Sequence, residues 1–148
     1  MRLTSLADYA VVVMSAAARA ECGARLSAGM VAEQTGVPLP TVQKLMGRLA
    51  QSGLLASARG TGGGFVLARE PEKISLADIV EAVDGPIAMT ACVDEGRHDC
   101  GLETACRVRA HWPAVNGAIR GALAGVTLES LAHGATPPGG AIPQGAIL

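Results

Sequence analysis

A chain of 148 residues with 49% apolar side chains and a net charge of −1 is long enough for one domain with a sizeable core. Its aromatic residues, Tyr9, Phe65 and Trp112, are too few for the stacking platforms that hold single-stranded nucleic acid. No apolar run approaches the length of a membrane span, so no transmembrane helix is expected.

The spacing predicts a helix over Thr4–Ala20. A capping-box-like Ser5-Leu6-Ala7-Asp8 opens it, and Leu6, Tyr9, Ala10, Val13 and Ala17 share one apolar face. Ala24–Ser27 forms a turn, and Ala28–Thr35 a short second helix stopped by Gly36-Val37-Pro38. Pro40 fits the first turn of a third helix, where its missing N–H costs nothing. Val42, Leu45, Met46 and Leu49 recur there at i, i+3, i+4 and i+7, an inward stripe, and Gly53 closes the helix as a left-handed cap. Leu54–Ala58 and Phe65–Ala68 pair as a hairpin around Arg59-Gly60-Thr61-Gly62-Gly63-Gly64. Ser75-Leu76-Ala77-Asp78 starts a fourth helix that ends near Gly85-Pro86. Residues 87–103 lack periodicity. A long helix is expected from about Thr104 to Ala124, kinked at Pro113. A short turn at Thr127–Ala132 follows, and from His133 the Gly-, Pro- and Ala-rich composition predicts a disordered tail.

Charge is unevenly divided along these elements. Residues 1–69 carry seven basic groups against three acidic ones, and residues 70–148 carry five against ten. A basic half joined to an acidic half points to an anionic partner for the first half alone. A short helix, a glycine-containing turn and a second amphipathic helix describe a helix-turn-helix, and the hairpin makes it winged. The inward stripe leaves Thr41, Gln43, Lys44, Gly47, Arg48 and Gln51 facing outward. Such a polar face is often only solvated, but these side chains suit a major groove. Gln43 can pair twice with adenine, Lys44 can reach guanine acceptors, and Thr41 can meet a phosphate or a thymine methyl. Arg59 and Gly60 open a loop whose backbone can approach another surface closely, and an arginine there can enter a narrow minor groove. The loop lacks Gly-x-x-x-x-Gly-Lys-Ser/Thr, and Gly-x-Gly-x-x-Gly fails at Phe65, so a nucleotide-phosphate loop is not indicated.

Of Cys22, Cys92, Cys100 and Cys106, the last three fall within fifteen residues. Thiolates are soft ligands that select zinc, copper(I) or iron–sulfur clusters. The spacing Cys92-x7-Cys100-x5-Cys106 lacks the paired C-x2-C knuckles of structural zinc, and a wide loop suits a bulkier cluster. Candidate fourth ligands are His98, Asp99, His111 and the distant Asp8; a redox disulfide or three unrelated cysteines is the competing reading. Cys22 is expected to be a small core residue. The start mimics a signal peptide through Arg2, the run Tyr9–Ala18 and the small residues Ala16–Ala20. Asp8 at the mouth of that run, with Arg19 and Glu21 after it, argues instead for a cytoplasmic protein with reduced thiols. No Ser/His/Asp or paired-carboxylate constellation indicates catalysis, and His98, His111 and His133 lack metalloprotease spacing.

Arg2-Leu3-Thr4 through Asp8-Tyr9-Ala10, the turn Gly36-Val37-Pro38, Gly53-Leu54-Leu55, the wing Arg59–Phe65, Ser75–Gly85 and the three-cysteine loop together resemble the Rrf-type family of winged-helix transcription regulators. The resemblance covers residues 1–132. The family's IscR-, NsrR- and RirA-like branches sense iron–sulfur status, nitric oxide or iron. Leu39-Pro40-Thr41-Val42-Gln43-Lys44 and Gly85–Cys92 look most like proteobacterial regulators of the SUF iron–sulfur assembly operon. The resemblance implies a homodimer joined through the long helix, two wings on the double-stranded DNA of a palindromic operator, and a 2Fe-2S or 4Fe-4S cluster on Cys92, Cys100 and Cys106. IscR-type members place a histidine three residues after the last cysteine, where this chain has Arg109. NsrR-type members use an aspartate near the start of the first helix, given by the other subunit, and Asp8 stands there; His111 is the reserve candidate.

The fold class that follows is mainly α with a small β-hairpin wing. It divides into a winged helix-turn-helix over 1–70, a connecting helix over 71–85, a cluster-binding loop over 86–104, a long dimerisation helix over 105–132 and the tail over 133–148. The implied function is a cluster-dependent regulator of SUF assembly genes. The alternatives are a nitric-oxide-, redox- or iron-responsive repressor of the same family, or a zinc or structural protein without a DNA role.

Overall fold

Small side chains let the first helix sit at the centre of the molecule. In a computed structural model that describes residues 1–134 other than Thr61, His98 and Glu103, α1 spans Ser5–Arg19. Its Ala7, Ala10, Val13, Met14 and Ala17 are buried, so neighbouring helices close in on more than one side. Thr4, not Ser5, is the N-cap: its hydroxyl accepts the Ala7 amide at 3.0 Å. The expected capping box with Asp8 is therefore not formed, because the helix starts one residue earlier than the Ser5 pattern requires.

The next two helices follow their punctuation. Ser27 caps α2 (Ala28–Thr35) through the Met30 amide, and Gly36 ends it at φ 76°. Pro40 lies in the first turn of α3 (Leu39–Gln51), which buries Val42, Leu45, Met46 and Leu49 as the stripe predicts. Strands β1 (Leu55–Ala58) and β2 (Gly64–Leu67) pair antiparallel, with Leu55 opposite Leu67 and Ala58 opposite Gly64. No side-chain pattern marks the third leg that the structure adds to this hairpin. Leu26 and Phe65 exchange both backbone hydrogen bonds at 2.8 Å, stitching the hairpin to the turn before α2. That approach needs a glycine at 64, since a Cβ there would stand 2.7 Å from the Leu26 carbonyl oxygen.

Ser75 and Asp78 form a reciprocal capping box at the head of α4 (Leu76–Asp84). The C-terminal region departs from expectation. The long helix from Thr104 does not form; α5 runs only from Trp112 to Ala124, after a 3₁₀ turn over Arg109–His111. Pro113 accordingly starts the helix rather than kinking it, because in a first turn its lacking N–H has no carbonyl to meet. The shorter α6 (Leu128–His133) returns to the core, burying Leu128 and Ala132 beside α1. Its entry is fixed by the Leu76 amide on the Val126 carbonyl and the Leu128 amide on the Ile74 carbonyl, both 2.8 Å. Gly134 caps α6 at φ 69°; the rest of the expected tail lies outside the described residues.

Candidate DNA interface and cysteine loop

The buried stripe of α3 fixes what faces outward. Gln43, Lys44 and Gln51 are exposed, while Thr41, Gly47 and Arg48 are half-buried. Arg48 is engaged within the chain: its Nη1 donates to the Val83 carbonyl at 2.9 Å, at the end of α4. At the wing tip Arg59 and Gly60 are exposed, with Gly60 at φ 110° and Gly62 at φ 78°. The Gly63 amide closes the turn on the Gly60 carbonyl at 2.9 Å. Only glycine adopts these positive φ values without strain, so the tip projects backbone and the Arg59 side chain with little bulk between.

The cysteine loop leaves the end of α4 through Gly85-Pro86 and is tied down near its base. The Asn116 side chain of α5 accepts the Met89 amide and donates to the Ile87 carbonyl, each at 2.9 Å. Glu81 of α4 accepts the Ile87 amide at 3.3 Å and takes Arg120 of α5 in a two-pronged pair at 2.9 and 3.0 Å. The Arg120 hydrogen bond holds the Glu81 carboxyl below its ordinary value; partial burial pushes the other way, and the Ile87 amide helps lower it. The same pairing raises Arg120. Residue spacing offers no signal for this cluster, since Glu81 and Arg120 are far apart in the chain.

Beyond the anchored segment the loop carries the thiols. Cys92 lies in a 3₁₀ turn over Ala91–Val93, its Sγ 3.0 Å from the Thr90 hydroxyl. Cys92, Cys100 and Cys106 are half-buried, and all four cysteines are free. Cys22 is exposed rather than in the core. α1 ends at Arg19, so Cys22 falls in the turn beyond it, where no element covers the side chain. Among the described residues no three Cys, His, Asp or Glu side chains converge as a metal-holding group. Asp8, Asp99 and His111 are exposed, and His98 lies outside the described residues.

A helix-turn-helix with an outward Gln43/Lys44 face, a glycine-tipped wing and a basic first half define a winged-helix, DNA-binding transcription regulator. The profile of the Rrf2 family, described as an iron-dependent transcriptional regulator, matches residues 3–134, and the chain belongs to that family. It is 33% identical over 133 residues to the HTH-type transcriptional regulator IscR of Photorhabdus laumondii, covering 90% of this chain and 80% of that relative. An Escherichia coli IscR is 32% identical, over 90% of this chain and 81% of its own. Among solved structures, CymR, the global cysteine regulator of B. subtilis, superposes with a TM-score of 0.69 at 26% identity, covering 92% of this chain and 99% of that one. T. potens IscR does so with a TM-score of 0.65 at 25% identity, covering 92% and 89%. These relatives are regulators, not enzymes, and no helix among the described residues is long and apolar enough to cross a membrane.

Proposed function

We propose that this regulator senses iron–sulfur status through a bound cluster and controls SUF cluster-assembly genes, acting as a cytoplasmic homodimer on a palindromic operator. The observation that carries the reading is the set of three free, half-buried thiols on one loop, in a chain similar to IscR over most of its length. Their donor chemistry fits a cluster: soft sulfur ligands, none spent in a disulfide, on a loop with little regular structure of its own.

In this reading Cys92, Cys100 and Cys106 hold the cluster. Asp8 of the partner subunit completes the set, with His111 in reserve. When bound, the group supplies redox and ligand-exchange chemistry that depends on iron and sulfur supply. Gln43, Lys44 and Thr41 read the major groove, and Arg59 with Gly60 follows the adjacent minor groove. Replacing Gln43 with Ala relaxes base choice at one position by roughly 1–3 kcal/mol.

The test is purification without oxygen, followed by an absorption spectrum and iron and sulfide assays. Brown protein holding both elements is expected. Cys92→Ala, Cys100→Ala and Cys106→Ala should each lose the colour, and Cys22→Ala should keep it. Stoichiometric zinc without sulfide overturns the cluster in favour of a zinc site.

A further inference from the structure

Arg48 lies near the end of the reading helix, yet it is bonded into the protein. The Val83 carbonyl that it meets belongs to the last turn of α4, where helix carbonyls have no intrahelical partner. A cation is favoured there by the helix dipole as well. Two residues earlier, Glu81 holds the Ile87 amide and the Arg120 guanidinium. Asn116, one turn before Arg120 on α5, holds Ile87 and Met89. The segment leading to Cys92 is thus fastened to the same helix end that fastens the reading helix.

We infer that Arg48 is a positioning residue: it couples the base of the cysteine loop, through the Glu81 hub and the Val83 carbonyl, to the setting of α3 against DNA. Arg48 is one turn from Lys44, so a shift of the α4 end re-aims Lys44 and Gln43 in the groove. Movement of Ile87–Met89 is resisted by side chains of both α4 and α5, and their release frees the helix end that holds Arg48. The DNA end of this coupling rests on the family's regulator role, and only its loop end rests on the cluster reading.

The experiment uses the full-length, cluster-free protein and a duplex that the wild type selects from random-sequence DNA. Affinity is measured at several salt concentrations for wild type, Glu81→Gln, Arg48→Gln and the double variant, with circular dichroism as the check on folding. Glu81→Gln, although remote from DNA, is expected to weaken binding about threefold or more. Arg48→Gln is expected to weaken it with the salt dependence unchanged, and the double variant to be no weaker than the worse single one. A salt slope reduced by about one in Arg48→Gln would make Arg48 a phosphate contact and overturn the inference. Unchanged or raised affinity in Glu81→Gln, or losses that multiply in the double variant, also overturn it. If Glu81→Gln does not fold, Arg120→Lys, which keeps the charge but loses the two-pronged bond, is judged by the same criteria. Failure of the cluster reading leaves these comparisons intact, because no cluster is present in them.

Discussion

Thr4 donates its hydroxyl hydrogen to the Asp84 carboxylate, 2.9 Å from either oxygen, while its lone pair accepts the Ala7 amide at 3.0 Å. One side chain thus caps α1 and pins its start to the end of α4. Thr4→Ala removes both bonds, and a cost of about 1–2 kcal/mol is expected. Thr4→Ser keeps the hydroxyl and should recover most of it. Urea unfolding reads the difference as a shifted midpoint at unchanged slope.

Space around two glycines predicts opposite signs for one substitution. A methyl group at Gly64 would collide with the Leu26 carbonyl oxygen, so Gly64→Ala should break the bridge to Phe65 and cost about 1–3 kcal/mol. At Gly47, inside α3, a Cβ meets nothing within 4 Å. Gly47→Ala should therefore raise stability by about 0.5–1 kcal/mol through helix propensity. Thermal unfolding of the two variants beside wild type checks both signs.

The Glu81–Arg120 pair gives a pH signature. A carboxyl held below its unfolded value stabilises the fold above that value, about 4.3 for glutamate, and the contribution disappears as pH falls through the lowered folded value. Arg120 is about half exposed, so solvent screens the pair and its contribution to stability is small. Glu81→Gln should lower stability at neutral pH and flatten its dependence below about pH 4. Parallel loss of stability in both proteins across that window would remove Glu81 as the cause.

What the sequence made legible was short-range. The start of α4 at Ser75, the Pro40 start, the α3 stripe and the glycine-tipped hairpin each depend on residues within a turn or two of one another. The missed features are set by distant partners. Thr4 rather than Ser5 is the cap, in a position where it also meets Asp84. Leu26 joins the hairpin through backbone groups that no side-chain pattern marks. Of the site, outward Gln43 and Lys44 and the exposed Arg59 were readable from periodicity and loop chemistry. The bond that half-buried Arg48 makes to α4 was not, because its acceptor is a carbonyl on another helix. The start of α5 is not legible in the sequence, because Pro113 is compatible with both a kink and a first turn, and only packing decides between them.

None of the residues of α5 is buried in the single chain, and Val115, Ala118 and Ala122 lie exposed at helical spacing. Leu102 and Val108 nearby are 70% and 55% exposed. Apolar surface of this kind is normally covered by a partner, and a second copy is the partner proposed above. Val115→Glu should convert a dimer to a monomer in light scattering. It should also weaken binding to a palindromic site by about a hundredfold, as the second half-site is no longer tethered. A wild-type protein that is already monomeric would defeat the homodimer.

Asp8 is the sharpest test of how the thiols connect to DNA. Its backbone amide makes the first helical bond to the Thr4 carbonyl at 3.0 Å, but its exposed carboxylate meets no donor among the described residues. The capping duty belongs to Thr4, so what Asp8 gives the fold alone is a favourable charge at the head of α1, about 0.3–1 kcal/mol. A free carboxylate on an exposed helix start is available to a second subunit. It is a harder ligand than thiolate and would be the readily displaced member of a three-cysteine set. The resemblance to IscR-type regulators implies a histidine ligand where this chain has Arg109, and His111, exposed beside the start of α5, is the rival. Asp8→Ala and His111→Ala, each reconstituted with iron and sulfide, separate the two. Asp8→Ala should change the spectrum and abolish the difference in operator affinity between loaded and cluster-free protein, while losing little stability. His111→Ala should match wild type in both. A wild-type spectrum and wild-type cluster-dependent DNA binding in Asp8→Ala would leave Asp8 only its electrostatic part in α1, and a changed spectrum in His111→Ala alone would move the fourth ligand to that histidine.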